Sequence, residues 1–242
     1  MKQGIIPVIL IRHAQSQWNQ EDRFTGWANP HLTDAGIIEA IDAGMQLHEN
    51  GYQFDAAYSS RLQRAITTLD ILLDQVGQND LYRHQDWRLN ERHYGSLQGI
   101  NKTVAAAKVG DHQVWRWRRG YTDQATPLLR TNPEHPVNNP MYQDIDSSLL
   151  PGVENLAQTR ARVSVFWKEQ MLPRILKGER LLISAHGNTL RALLMELTDM
   201  SVEEVEGFEI PTATPILCRI DNNASLIDWH YLDETSIRTE SA

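Results

Sequence analysis

Residues 7–19 read PVILIRHAQSQWN: an apolar run from Pro7 to Ile11 that breaks abruptly into Arg12 and His13. Such a short apolar run, bounded by polar residues, fits a fully buried strand. Further along, RLLISAH (180–186) repeats the arrangement and also ends in a histidine, His186. Between and around these two runs, apolar stretches alternate with helical patterns. Thr33 has the chemistry of an N-cap for a helix reaching Glu49, with Gly51 just past its end. Phe54 to Tyr58 reads as a second strand, Arg61 to Val76 as a helix closed by Gly77, and Leu81 to Trp87 as a third strand. NTLRALLMEL (188–197) reads as a helix, and PILCRI and SLIDWHYL, separated by DNNA, as a final hairpin. This alternation predicts an α/β fold with a mostly parallel sheet flanked by helices on both faces.

The middle of the chain differs. A helix rich in Ala, then in Trp and Arg, is expected from Asn101 to Gly120. TPLLRTNPEHPVNNPMYQDI (126–145) follows, with four prolines, three asparagines and no clear period. Residues 121–152 therefore read as a long irregular excursion, so that 101–152 forms an insertion covering the site within a single domain, 1–242.

Totals exclude several function classes. The 242 residues carry a net charge of −8, which argues against nucleic acid or an anionic membrane as partner. A small anionic substrate would need a local basic pocket. The single cysteine, Cys218, excludes an internal disulfide and fits a reducing compartment. The run Ile5–Ile11 is too short for a bilayer span of about 20 residues, and the expected location is the cytoplasm. Nine scattered histidines without H-E-x-x-H or paired-cysteine spacing give no support for a metal.

In an open α/β sheet, ligands bind beyond the carboxyl ends of the strands, where His13 and His186 both fall. Gly187 and Asn188 open a helix there, offering free N–H groups to an anion. Arg64 lies one turn into the helix after the second strand, and LNERHYG (89–95) brings Glu91, Arg92 and Tyr94 after the third. These parts suit phosphoryl transfer. A neutral imidazole attacks phosphorus, arginines clamp the oxygens, a second imidazole balances transition-state charge, and a carboxylate moves the proton. His13, Arg12 with Arg64, His186 and Glu91 fill those roles in that order.

RHAQSQWN, RFTGW, LNERHYGSLQG, WRRG and SAHGNTLRAL resemble, in order, the motifs of the histidine phosphatase superfamily, and within it those of the cofactor-dependent phosphoglycerate mutases. The resemblance implies a phosphoglycerate mutase-like fold and interconversion of 3- and 2-phosphoglycerate, primed by 2,3-bisphosphoglycerate and needing no metal. It implies that His13 is the phosphorylated nucleophile, Glu91 the proton carrier and His186 the transition-state stabiliser. Arg12, Asn19, Arg64, Gly187 and Asn188 would hold the transferring phosphate. Ser16, Thr25, Gly26, Arg92, Tyr94, Lys102, Arg118 and Arg119 would line the substrate side. A homo-oligomer, a dimer first, and a mobile tail (233–242) are further expectations from the same source.

Two departures stand out. The motif's usual Arg-His-Gly-Glu is here Arg12-His13-Ala14-Gln15, and the tail has no lysine. Alanine is harmless only if the backbone there keeps φ below zero; glutamine removes a charge beside the nucleophile and would make the pocket slightly more favourable to anions. A phosphatase on small phosphate esters and a phosphate-binding scaffold without catalysis remain the alternatives.

Overall fold

The computed structural model describes residues 4–232. Six strands form one sheet: β1 (Ile6–Arg12), β2 (Ala56–Ser59), β3 (Arg83–Gln85), β4 (Leu181–Ala185), β5 (Pro215–Ile220) and β6 (Leu226–Tyr231), in the order β3-β2-β4-β1-β5-β6. The pairs β3·β2, β2·β4 and β4·β1 are parallel, while β1·β5 and β5·β6 are antiparallel.

Both faces are covered, and the pleat sorts the core into two halves. Val8 and Leu10 point to the side filled by Phe166, Leu190 and Leu194; Ile9 and Ile11 point to the side filled by Ala40, Leu47, Leu69 and Leu72. The helices on the second face are α2 (Asp34–Glu49), capped by the Thr33 hydroxyl on Gly36 N–H, and α3 (Gln63–Val76), ended by Gly77 at φ 75°. A short α1 (Gln17–Gln20) precedes them. On the first face lie α6 (Leu156–Phe166), which continues through a wide turn at Trp167–Met171 into α7 (Leu172–Ile175), and α8 (Gly187–Leu197); a short α9 (Val202–Gly207) follows α8.

Two expectations are corrected and one unassigned stretch is filled. The single helix over 101–120 is two, α4 (Lys102–Val109) and α5 (Asp111–Arg119), because Gly110 sits at φ 87°, a conformation no helix accommodates. The third strand shrinks to three residues, since Trp87–Leu89 already coils into a 3₁₀ turn capped by Asp86. Residues 153–179, unassigned from sequence, supply α6 and α7.

The excursion 121–152 contains three further 3₁₀ turns. Arg61 holds it through two 2.6 Å bonds to Asp144, and Tyr142 and Leu150 pack on Trp27. The tail expected at 233–242 lies outside the described residues. Among the described residues no helix is long and apolar enough to cross a membrane.

Candidate active site

Sheet register brings the two histidines together. Arg12 pairs with Ala185 across β1·β4, so the next residues, His13 and His186, emerge side by side at the carboxyl edge. The His13 N–H continues the ladder to Ala185 O at 2.9 Å, and the two ring centroids are 5.0 Å apart.

His13 is arranged as a nucleophile. The Arg64 Nε–H, a donor with no acceptor capacity, lies 3.2 Å from His13 Nε2, so Nε2 must carry the lone pair and Nδ1 the proton. Nδ1–H accordingly donates to Ala14 O at 2.7 Å. Burial first, then the guanidiniums of Arg64 and Arg12, hold His13 well below the usual histidine range, which keeps the ring neutral. Arg64 is itself pinned, donating to Ala28 O and Gly26 O at 2.8 Å each; burial lowers it to about 10, so it stays charged at neutral pH. Gly26 adopts φ 54° to present that carbonyl.

His186 is fully buried, its Nε2 2.8 Å from Ser60 Oγ. Its Nδ1 has no hydrogen-bond partner among the described residues, and neither has Arg12 Nε, although both are buried. Such unpaired groups cost free energy unless a ligand meets them. Burial, then Arg64 and His13, push His186 well below the ordinary histidine range, so an incoming phosphate dianion would favour its protonation.

Glu91 is held by one oxygen: Oε1 accepts the N–H of Arg92 at 2.7 Å and of Asn188 at 3.2 Å, the latter at the start of α8. No hydrogen bond among the described residues reaches Oε2. A Cβ placed on Gly187 would stand 3.9 Å from both Glu91 Oε2 and Arg12 Nε, so the missing side chain leaves an open corner between acid and cation.

Apart from His186, which lies buried behind it, His13, Arg12, Arg64, Glu91 and Gly187 line a narrow cleft enclosing about 590 Å³, part of it open to solvent. Seven cations border it (Arg12, Arg23, Arg64, Lys102, Arg118, Arg119 and Arg191), against the carboxylates of Glu91 and Glu209. A chain of net charge −8 thus carries a locally basic pocket, suited to a small anion. Asn19, Thr25, Gly26, Tyr94, Gly187 and Asn188 line it too, and Tyr94 accepts the Asn188 amide at 3.0 Å. Arg118 and Arg119 both face the cleft because α5 ends there. Lys102 Nζ is held by Asp22 at 2.8 Å, Arg119 pairs with Glu209, and the Arg118 side chain makes no hydrogen bond or ion pair among the described residues.

Two expected lining residues lie elsewhere. Arg92 turns away from the cleft and donates to Trp117 O at 2.7 Å and Gly120 O at 2.9 Å, tying down the end of α5. Ser16 caps α1 and orients Asn19, donating its hydroxyl to Asn19 Oδ1 at 2.8 Å. Of segment 101–152, Lys102, Arg118 and Arg119 line the cleft, whereas no residue of 121–152 does. Arg23, Phe24, Arg191 and Glu209 also line the cleft and are absent from the expected set. Arg191 had a signal, since it sits one helical turn beyond Gly187; Glu209, in an irregular stretch, had none.

The departures at 14 and 15 are accommodated. Ala14 is buried and is not among the non-glycine residues with positive φ, which in the described chain are Asp22, Ala213 and Ala224. Gln15 turns away from the cleft and accepts the Thr33 hydroxyl at 2.8 Å, so the lost charge is not a lining charge. Among the described residues no group of three or more His, Cys, Asp or Glu is arranged to hold a metal ion.

Solved structures share this fold at low identity. Phosphoglycerate mutase from Bacillus anthracis aligns over 97% of this chain and 95% of its own, with TM-score 0.67 and 18% identity. Alpha-ribazole phosphatase from Shigella flexneri covers 91% and 94%, with TM-score 0.65 and 21% identity. Mycobacterial glucosyl-3-phosphoglycerate phosphatase covers 94% and 97%, with TM-score 0.63 and 21% identity. A family model matches residues 8–231, from the first strand to the last, and by that match the chain belongs to the histidine phosphatase superfamily (branch 1).

Proposed function

We propose that this protein moves phosphoryl groups between small phosphate esters through phospho-His13, and that it is a phosphoglycerate mutase. The observation that carries the finer reading is the second group of cations, Lys102, Arg118 and Arg119, beyond the transfer centre. A simple phosphate monoester needs only Arg12, Arg64 and the α8 terminus; a phosphoglycerate also carries a carboxylate, which needs further cations.

In the transfer, His13 Nε2 bonds to phosphorus as the ester P–O bond breaks, and the leaving oxygen takes a proton from Glu91 Oε2. Arg64 Nε–H, released from Nε2, passes to a phosphate oxygen. Arg12 Nε and His186 Nδ1 meet the remaining oxygens and so lose their unpaired state. In the reverse step Glu91 takes the proton of an incoming hydroxyl. The same cation set fits 2,3-bisphosphoglycerate, which when bound supplies the phosphoryl group that primes His13.

The test is direct. Incubation with 2,3-bisphosphoglycerate should leave acid-labile phosphate on the protein but not on His13→Ala, and coupling to enolase with 3-phosphoglycerate should give turnover. Labelling with release of free phosphate and no isomerisation would instead make it a phosphatase. One sequence feature favours that second reading: DETSIRTESA (233–242) holds three acidic residues and no lysine with which to close over a phosphorylated site. Truncation after Leu232 should then leave hydrolysis nearly unchanged, whereas a closing tail predicts a rise in hydrolysis relative to isomerisation.

A further inference from the structure

Glu91 is gripped from outside the cleft by a buried ion pair. Arg162, on α6, and Glu154, just before it, are joined by bonds of 2.7 Å (Nε to Oε1) and 2.9 Å (Nη2 to Oε2), with side chains only 7% and 4% exposed. Their remaining capacity ends on the segment that carries Glu91. Arg162 Nη1 donates to Arg88 O at 2.7 Å, Nη2 also donates to Glu91 O at 3.0 Å, and Glu154 Oε2 accepts the His93 N–H at 2.9 Å. The main chain is thus held before, at and after residue 91. Trp27 adds a 2.6 Å bond from Nε1 to the same Glu91 carbonyl, and the Arg162 guanidinium lies over its ring.

A buried ion pair is weak evidence of stability, because apolar residues of similar volume often serve as well. This one spends its hydrogen bonds on an irregular loop with no ladder of its own. We infer that the Arg162–Glu154 pair is a positioning element for Glu91, setting the reach of its free Oε2 to the leaving oxygen. Neither residue touches the cleft. Because Glu154 lies two residues past the 121–152 excursion, the end of that excursion is fastened to the segment that carries Glu91.

The inference rests on Glu91 being the proton carrier, and substrates differing in leaving group separate the two claims. Transfer from p-nitrophenyl phosphate to His13 needs no proton on the departing oxygen; transfer from 2,3-bisphosphoglycerate does. First-turnover phosphorylation of His13 would be measured with both donors in wild type, Glu91→Gln, Arg162→Lys and the apolar pair Arg162→Met with Glu154→Leu. A misplaced acid costs about 100-fold, so the pair variant should lose about that much with 2,3-bisphosphoglycerate and less than about threefold with p-nitrophenyl phosphate. Arg162→Lys, which keeps the charge but not the fork, should lose an intermediate amount with the same selectivity. Adding the pair change to Glu91→Gln should cost nothing more. Equal losses with both donors, or none, in folded Arg162 variants would overturn the positioning role. If Glu91→Gln itself slows both donors equally, the proton-carrier reading fails first and the inference falls with it.

Discussion

Replacing Arg64 by methionine removes one charge from the centre of the site, with effects that can be worked out for three histidines at once. The Arg64 Nε lies 3.2 Å from His13 Nε2, and its guanidinium ranks second only to burial among the causes that lower both His13 and His186. Two unit charges about 4 Å apart at an effective dielectric of 20 interact by about 4 kcal/mol. That is an upper bound, since burial and Arg12 continue to act. Both histidines should therefore titrate higher in Arg64→Met than in the wild type. His93 should not move, because its depression to about 3 comes from burial, His135 and Arg162. Histidine Cε1–H chemical shifts followed against pH, with His13 assigned from His13→Gln, measure all three. Loss of a charge aimed at the transferring phosphate should also slow His13 phosphorylation by about 10²–10³. The carbonyls of Gly26 and Ala28 lose their donors, which costs about 1–3 kcal/mol each, partly offset by no longer burying a cation. If His13 and His186 keep their wild-type titrations, or move down, the electrostatic account of the neutral nucleophile is wrong.

Two further outcomes follow from burial and packing. His13, His186 and His93 are all lowered on folding, so the unfolded chain binds more protons below the ordinary histidine range; stability is complete above about pH 6.5 and declines as pH falls. For His93, held at about 3, the loss by pH 5 is about 2 kcal/mol, and the other two add in the same direction; equal urea midpoints at pH 7 and pH 5 would contradict this. Gly36→Ala would drive a Cβ into Gln15 O, a main-chain atom two residues after His13, and should cost about 1–3 kcal/mol in urea unfolding together with activity. Gly187→Ala meets nothing closer than 3.7 Å and should fold normally, yet its methyl fills the corner beside Arg12 and Glu91, so activity alone should fall.

What the sequence made legible divides along physical lines. The strands holding His13 and His186 announce themselves because both faces are buried and the apolar runs are unbroken. The spatial order is another matter: β4 slots between β1 and β2 from over a hundred residues away, and no local signal records that pairing. Helix α6 escaped because its buried stripe is Leu156, Thr159, Arg162, Val163 and Phe166, which has helical spacing but is interrupted by polar residues. In the loop around Glu91, where no period holds, successive side chains point opposite ways. Arg92, next to Glu91 in sequence, therefore faces α5 and not the cleft. Glu154 and Arg162 show the same limit most sharply: by type they read as solvated charges, and only the fold shows their bonds converging on residues 88–93. The groups proposed to react stand out in the sequence because the chemistry demands particular residue types. Their supports are not bound to type in that way, since any buried donor and acceptor of the right reach would hold Glu91, and so they emerge only when the chain is folded.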